Sequence, residues 1–129
     1  MTTIFPEHLR YTKDHEWVLD EDNGIFKVGI TDFAQRELGD IVFVELPLVG
    51  DTFGAEEEFG TVEAVKTVSQ LFMPIAGEVV EINTAISDDP EVINSDPYGE
   101  GWMIKIRPQN ADDLQQLLTA NTYQSLVSA

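Results

Sequence analysis

The sequence predicts a mainly β fold: a compact sandwich or barrel of short strands, with short helices and a helical C-terminal segment over 110–128. Three observations predict it. Short β-branched runs recur along the chain, each bounded by Gly, Pro, Asn or Asp. No Pro/Gly/Ser-rich linker interrupts them, so residues 1–129 read as one domain. The tail has helical periodicity, in Leu114, Leu117 and Leu118 and again in Tyr123, Leu126 and Val127.

Residues 11–19 (YTKDHEWVL) read as a strand. Asp20-Glu21-Asp22-Asn23-Gly24 is a turn in which Asn-Gly supplies the positive φ of a tight reversal, and residues 25–30 return as its hairpin partner. Thr31 caps a short helix over 32–38 that Gly39 stops, with Phe33, Ala34 and Leu38 as its apolar face. Residues 41–46 (IVFVEL) form a strand too apolar to lie fully exposed, ended by Pro47 and Gly50. Residues 57–64 and 69–75 are two strands around a short turn, 78–83 another, and 102–107 alternate in strand fashion. The stretch 84–101 reads as a long loop with one helical turn at 91–93. In the tail Asn110 is the N-cap, and Asn121 separates two helical pieces. One internal repetition is visible: Gly39-Asp40-Ile41-Val42-Phe43-Val44-Glu45-Leu46 resembles Gly77-Glu78-Val79-Val80-Glu81-Ile82-Asn83, which suggests two strands in related places in two facing sheets.

Composition narrows function. The chain has 129 residues, with 43% hydrophobic and 24% charged, so a sizeable core is possible. Seven Lys and Arg against 24 Asp and Glu give a net charge of −17, which disfavours nucleic acid and anionic membrane as partners. The absence of cysteine excludes disulfides, thiolate metal sites and cysteine nucleophiles. No apolar run approaches the roughly 20 residues of a membrane span. The N-terminal stretch lacks a secretory pattern, so a soluble, cytoplasmic protein is expected.

The usual catalytic motifs are missing. No phosphate-binding glycine loop and no Gly-x-Ser-x-Gly elbow occurs. His8 and His15 lack metal-motif spacing. Asp20-x-Asp22-x-Gly24 faintly resembles a calcium loop, but its glycine falls one place early and Thr31 stands where a bidentate Glu is needed. A self-sufficient enzyme is not expected. What remains is Lys66, the only basic residue between Arg36 and Lys105, where two predicted strands meet. Val65 resists φ > 0, so a loop built on a type I turn is expected to project the amine outward, beside the carboxylate of Glu63. Spacing alone leaves Lys66 an ordinary surface lysine.

A resemblance lifts it out of that class. Glu63-Ala64-Val65-Lys66-Thr67 resembles the lipoyl-attachment sequence Glu-Ser-Val-Lys-Ala of glycine cleavage system H proteins. Tyr11-Thr12-Lys13-Asp14-His15-Glu16-Trp17-Val18 resembles the family's opening motif, and residues 29–35 and 38–47 its next block. Residues 74–83 and 94–106, the latter with Pro97-Tyr98-Gly99-Glu100-Gly101-Trp102, resemble the blocks after the lysine, so the likeness covers roughly 8–127. It departs at Arg36-Glu37, Ala64, Thr67 and Gln70.

The resemblance implies a lipoyl/biotinyl-like barrel-sandwich hybrid with lipoate amide-linked to Lys66. It further implies a non-catalytic carrier, loaded by a lipoate ligase or a lipoyl/octanoyl transferase. The arm would accept an aminomethyl group at pyridoxal-phosphate-dependent glycine decarboxylase and yield it to a tetrahydrofolate-dependent aminomethyltransferase. Dihydrolipoamide dehydrogenase would reoxidise it. Glu16 is the candidate to receive the loaded amine in a cleft, with His15 a structural partner and Trp17 a core residue. Two alternatives stay open: a family member that donates lipoate to other lipoyl domains, and another biotinyl or lipoyl module. Val65 and Thr67 argue against a biotin domain, and Val65 and the helical tail against a 2-oxo acid dehydrogenase lipoyl domain.

Overall fold

The computed structural model describes residues 3–128; Met1, Thr2 and Ala129, the ends of the expected 1–129 unit, lie outside the described residues. The strands are β1 (Arg10–Tyr11), β2 (Glu16–Asp20), β3 (Phe26–Ile30), β4 (Ile41–Glu45), β5 (Thr52–Phe53), β6 (Glu58–Ala64), β7 (Val68–Phe72), β8 (Gly77–Ile82) and β9 (Ile104–Pro108). The helices are α1 (Asp32–Leu38), α2 (Ala85–Asp88), α3 (Glu91–Ser95) and α4 (Ala120–Ser128), with a 3-10 segment at Ala111–Gln116. A six-stranded sheet runs β1-β2-β3-β9-β8-β5 and a three-stranded sheet β4-β6-β7. Every strand pair is antiparallel. The mainly β expectation holds. Among the described residues no strand pairing joins the two sheets, so they form a sandwich and not a closed barrel. No helix among the described residues is long and apolar enough to cross a membrane.

The core lies between the sheets. Val18, Phe26, Val28, Val79, Ile104 and Ile106 of the large sheet pack with Ile41, Val44, Phe59, Val62 and Leu71 of the small one. Each such side chain contributes about 1.5–3 kcal/mol on burial. A second cluster forms where α4 meets β1 and β2, from Leu9, Tyr11, Trp17, Ala120 and Tyr123. The Tyr11 and Tyr123 rings stack there with centroids 4.7 Å apart. Trp17, fully buried as expected, lies across its cross-strand partner Gly29 and donates its indole N–H to the Pro97 carbonyl at 2.9 Å.

Several elements differ from the sequence reading. The strand expected over 11–19 is broken at 12–15, because the Thr12 amide donates to the Glu16 carbonyl and the His15 amide to the Thr12 carbonyl, with His15 at φ 71°. In the 20–24 turn the positive φ falls on Asp22 (64°) and Gly24 (83°); Asn23 serves instead as an acceptor for the Ile25 amide. Helix α1 is capped by Thr31 and ended by Gly39 as expected. Its buried residues, however, are Asp32 and Gln35, while Phe33, Ala34 and Leu38 are half-buried. Burial pushes the Asp32 carboxyl up, but hydrogen bonds from the Ile4 amide, Gln35 and Arg36 outweigh it and hold the group below its ordinary range.

The stretch 84–101 holds two short helices, α2 and α3, where the sequence predicts one turn at 91–93; Ile86 and Ile93 plug them into the core. In the tail Asn110 caps the 3-10 segment. The helical break is at 117–119 and not at Asn121, because Leu118 exchanges backbone hydrogen bonds with Tyr11 (2.8 and 2.9 Å). The internal repetition has a structural counterpart. Its two copies become β4 and β8, one in each sheet, with register shifts between Ile41 and Phe43 and between Val79 and Glu81. Each irregularity follows its glycine at the same offset, although β4 is an edge strand and β8 an inner one.

A Cβ at Gly29 would sit 2.7 Å from the Trp17 ring. Gly29→Ala therefore forces Trp17 out of place and lowers unfolding free energy by about 1–3 kcal/mol, measured by urea titration.

Candidate functional site

Lys66 stands at the apex of the β6–β7 hairpin and is exposed. The amide of Ala64 donates to the Thr67 carbonyl at 2.8 Å, closing the turn. Neither Val65 nor Lys66 adopts a positive φ, as the β-branched Val65 predicts. The Val65 amide donates at 3.0 Å to the Asp40 carbonyl, so the apex is tied to the turn that ends α1. In that turn Gly39 has φ 81°, and the Lys66 stem passes over it: a Cβ there would lie 3.5 Å from Lys66 Cε. Asn94 holds the same turn from the other side. It donates to the Gly39 carbonyl (2.8 Å) and to Gln35 (3.0 Å) and accepts from the Ile41 amide (3.0 Å).

Charge pairing singles this amine out. Lys13 pairs with Glu56, Lys27 with Glu21, Arg36 with Asp32, Lys105 with Glu21 and Glu81, and Arg107 with Glu78. Arg10 donates to the Leu117 carbonyl and to Gln115. Among the described residues Lys66 is the only Lys or Arg with neither a hydrogen bond nor an ion pair, in a chain with 24 acids. Glu63 does not pair with it. That carboxylate lies on the outer face of the small sheet, between Phe43 and Val68 in register.

A cleft of about 220 Å³ begins three residues along β7 from Lys66, a span of at most about 10 Å for an extended strand. Ile30, Phe33, Leu38, Val62 and Leu71 make its walls apolar; Glu16, His15, Glu37 and Gln70 supply polar groups. Two of the departures from the family pattern, Glu37 and Gln70, thus fall on this cleft. An unpaired amine beside an apolar slot with a carboxyl in it fits a covalently attached, mostly apolar arm with a polar tip.

Glu16 is 1% exposed. Its carboxylate accepts the Thr12 hydroxyl at 2.7 Å and, across the gap between the sheets, the Phe72 amide at 3.3 Å. Thr12 is fixed to donate, since its oxygen already accepts from the Asp14 and Glu16 amides. Burial dominates these bonds and pushes the Glu16 carboxyl up to about 8. His15 is the structural partner expected: its Nδ1 shares a 2.8 Å hydrogen bond with the Tyr123 hydroxyl, which also bonds Thr31. Burial is the main cause holding the imidazole below its ordinary pKa. The sequence reading misses Thr12, Asp40 and Asn94. A threonine four places before the candidate Glu16 is the visible clue for the first; nothing local marks the other two, which act through backbone groups of distant elements.

Comparison with known proteins gives one answer. The family model described as Glycine cleavage H-protein matches residues 9–129. A Chlorobium phaeobacteroides protein named Glycine cleavage system H protein is 60% identical over 125 residues, covering 96% of this chain and 98% of its own. The protein of that name from Bacteroides fragilis is 55% identical over 125 residues, covering 97% and 98%. The crystal structure of a glycine cleavage system H protein from Mycobacterium marinum superposes with a TM-score of 0.88 at 44% identity, covering 96% of this chain and 99% of that one.

The raised Glu16 pKa has a stability consequence. Between about 4.5 and 8 the folded chain holds a proton that the unfolded chain has released. This contribution is complete below about pH 4.5 and is lost as pH rises through about 8, at no more than about 1.4 kcal/mol per unit. His15, held neutral, acts with the opposite sign near its ordinary pKa. Subtracting the stability–pH curve of Glu16→Gln from that of the parent should leave a line falling across that window; a flat difference contradicts the assignment.

Proposed function

This chain belongs to the glycine cleavage H-protein family, and on that footing we propose that it is a non-catalytic carrier, folded as one unit, with lipoate amide-linked to Lys66. The observation that carries this reading is the unpaired state of Lys66 at a hairpin apex beside the cleft. When bound, the group supplies a dithiolane sulfur that can hold an aminomethyl unit and can be reoxidised. The enzymes it serves are glycine decarboxylase, the tetrahydrofolate-dependent aminomethyltransferase and dihydrolipoamide dehydrogenase, in the cytoplasm. A lipoate ligase or lipoyl/octanoyl transferase attaches it.

The chain's own residues position and shield. Freedom from ion pairs leaves the Lys66 amine available for acylation, and amidation then removes its charge. Val65 and Thr67 keep the apex regular, and the Asp40 carbonyl fixes where the tether starts. Tethering raises the arm's effective concentration at each docked enzyme. The apolar cleft walls exclude water from an arm lying there. Glu16 receives a cationic amine at its tip, and the approaching positive charge draws the carboxyl toward its ionised form.

Incubating the unmodified chain with lipoate ligase, ATP and lipoate should add one lipoyl group, which peptide mapping assigns to Lys66. Lys66→Arg should gain none, keep its melting temperature and reduce glycine–bicarbonate exchange to background. Mapping of the group to Lys13 or Lys27 would refute the proposal.

A further inference from the structure

We propose that the outer face of the three-stranded sheet beside Lys66 is the seat for the enzyme that acylates this lysine, and that the seat is built from the exposed apolar side chains of Phe43, Val65 and Val68 set among acidic ones. The inference rests on Lys66 being the attachment point. It starts from the register. Phe43 pairs with Glu63 and Glu63 with Val68, so these three side chains form one cross-strand row at the apex end of the sheet. The inner face of the same strands is core, so the row faces solvent: Phe43 is 53% exposed and Val68 60%. At the apex itself Val65 is 75% exposed.

The exposure of Phe43 is built in. Alternation from the buried Ile41 would turn Phe43 inward, but the irregularity between Ile41 and Phe43 inserts a residue. Phe43 then points out while Val44 is still buried. Scattered surface hydrophobics need no explanation, but an aromatic and two valines gathered around one unpaired lysine do.

Proximity and charge together choose the occupant. An enzyme that acylates Lys66 must bring its own reacting carbon to bonding distance of Nζ, so it must cover the residues around the apex. Enzymes served by a long flexible arm have no such need. Glu63 and Glu45 lie on this face, Asp40 and Glu37 are exposed nearby, and Lys66 is the only cation between Arg36 and Lys105. The matching partner is a catalytic domain that presents an apolar shelf with a basic rim, which favours fast, salt-sensitive encounter. In the step itself the deprotonated amine attacks the carbonyl of an acyl adenylate or acyl thioester held by that enzyme. An N–C bond forms, the C–O or C–S bond breaks, AMP or the thiol leaves, and the amine's proton passes to base; nothing is oxidised or reduced.

The test uses unmodified chain, purified lipoate ligase, ATP and lipoate, with initial rates read by intact mass at low and high salt. Phe43→Ser and Val68→Ser, made singly, should each raise KM for the carrier roughly tenfold with little change in kcat. Parent KM should rise with salt. Leu48→Ser removes an even more exposed apolar side chain from the loop beyond β4 and should behave as parent. Melting temperatures check folding, and if Phe43→Ser does not fold, Val68→Ser alone decides the outcome. Unchanged KM in the folded row variants, or an equal loss in Leu48→Ser, overturns the proposal. So does parent self-association that Phe43→Ser abolishes, which makes a second copy the occupant. Normal attachment with impaired delivery to the aminomethyltransferase also overturns it. If parent Lys66 is not modified at all, the carrier reading fails first; modification of parent and row variants at equal rates removes only the docking face.

Discussion

A buried carboxyl group bridges the two sheets at the edge where the small one ends its ladder. Strand β7 ends the small sheet, so the Phe72 amide has no strand neighbour on that side. Glu16, in the large sheet, accepts it. The Thr12 hydroxyl satisfies the other oxygen, and the turn that places Thr12 is the one that breaks the first strand. Replacing this arrangement with apolar contact would satisfy packing but leave a backbone donor without a partner. The carboxyl therefore remains despite a burial cost visible in its raised pKa, and it lies in the same cleft that begins near Lys66. A structural bridge and a candidate binding group are one side chain.

The second constraint concerns freedom. The hairpin that bears Lys66 is held at its base and leaves the side chain loose beyond it. The base is fixed by backbone bonds: Ala64 to Thr67, Val65 to Asp40, and Asn94 to both sides of the Gly39–Asp40 turn. None of these restrains the Lys66 ammonium. Six other cations are engaged, even where exposed pairs contribute about 0–1 kcal/mol. With so many carboxylates present, a lone amine is a placement and not a shortage of partners.

The irregularities in β4 and β8 show how a repeated local sequence can serve different surroundings. In β8, flanked by β5 and β9, the register shift lies inside a sheet. In β4, an edge strand, the same offset turns an aromatic ring to solvent near the hairpin apex that bears Lys66. It also disrupts the edge, which discourages unwanted strand pairing.

Much of this molecule is legible in its residues. The strand pattern, the α1 caps at Thr31 and Gly39, the cap at Asn110, the hairpin around Lys66 and the buried Trp17 follow from local periodicity and turn chemistry, which act within a few residues. The resemblance of residues 63–67 and the blocks around them singles out the lysine without any geometry. Tertiary structure decided what depends on groups far apart in the chain. It turned Asp32 and Gln35 of α1 inward through bonds to Ile4 and Asn94. It split the tail by pairing Leu118 with Tyr11, buried Glu16, and left Lys66 alone among the described cations without a partner. The physical reason is range: propensity and capping are properties of a short segment, whereas burial and pairing are set by whichever distant atoms the fold brings within hydrogen-bonding distance.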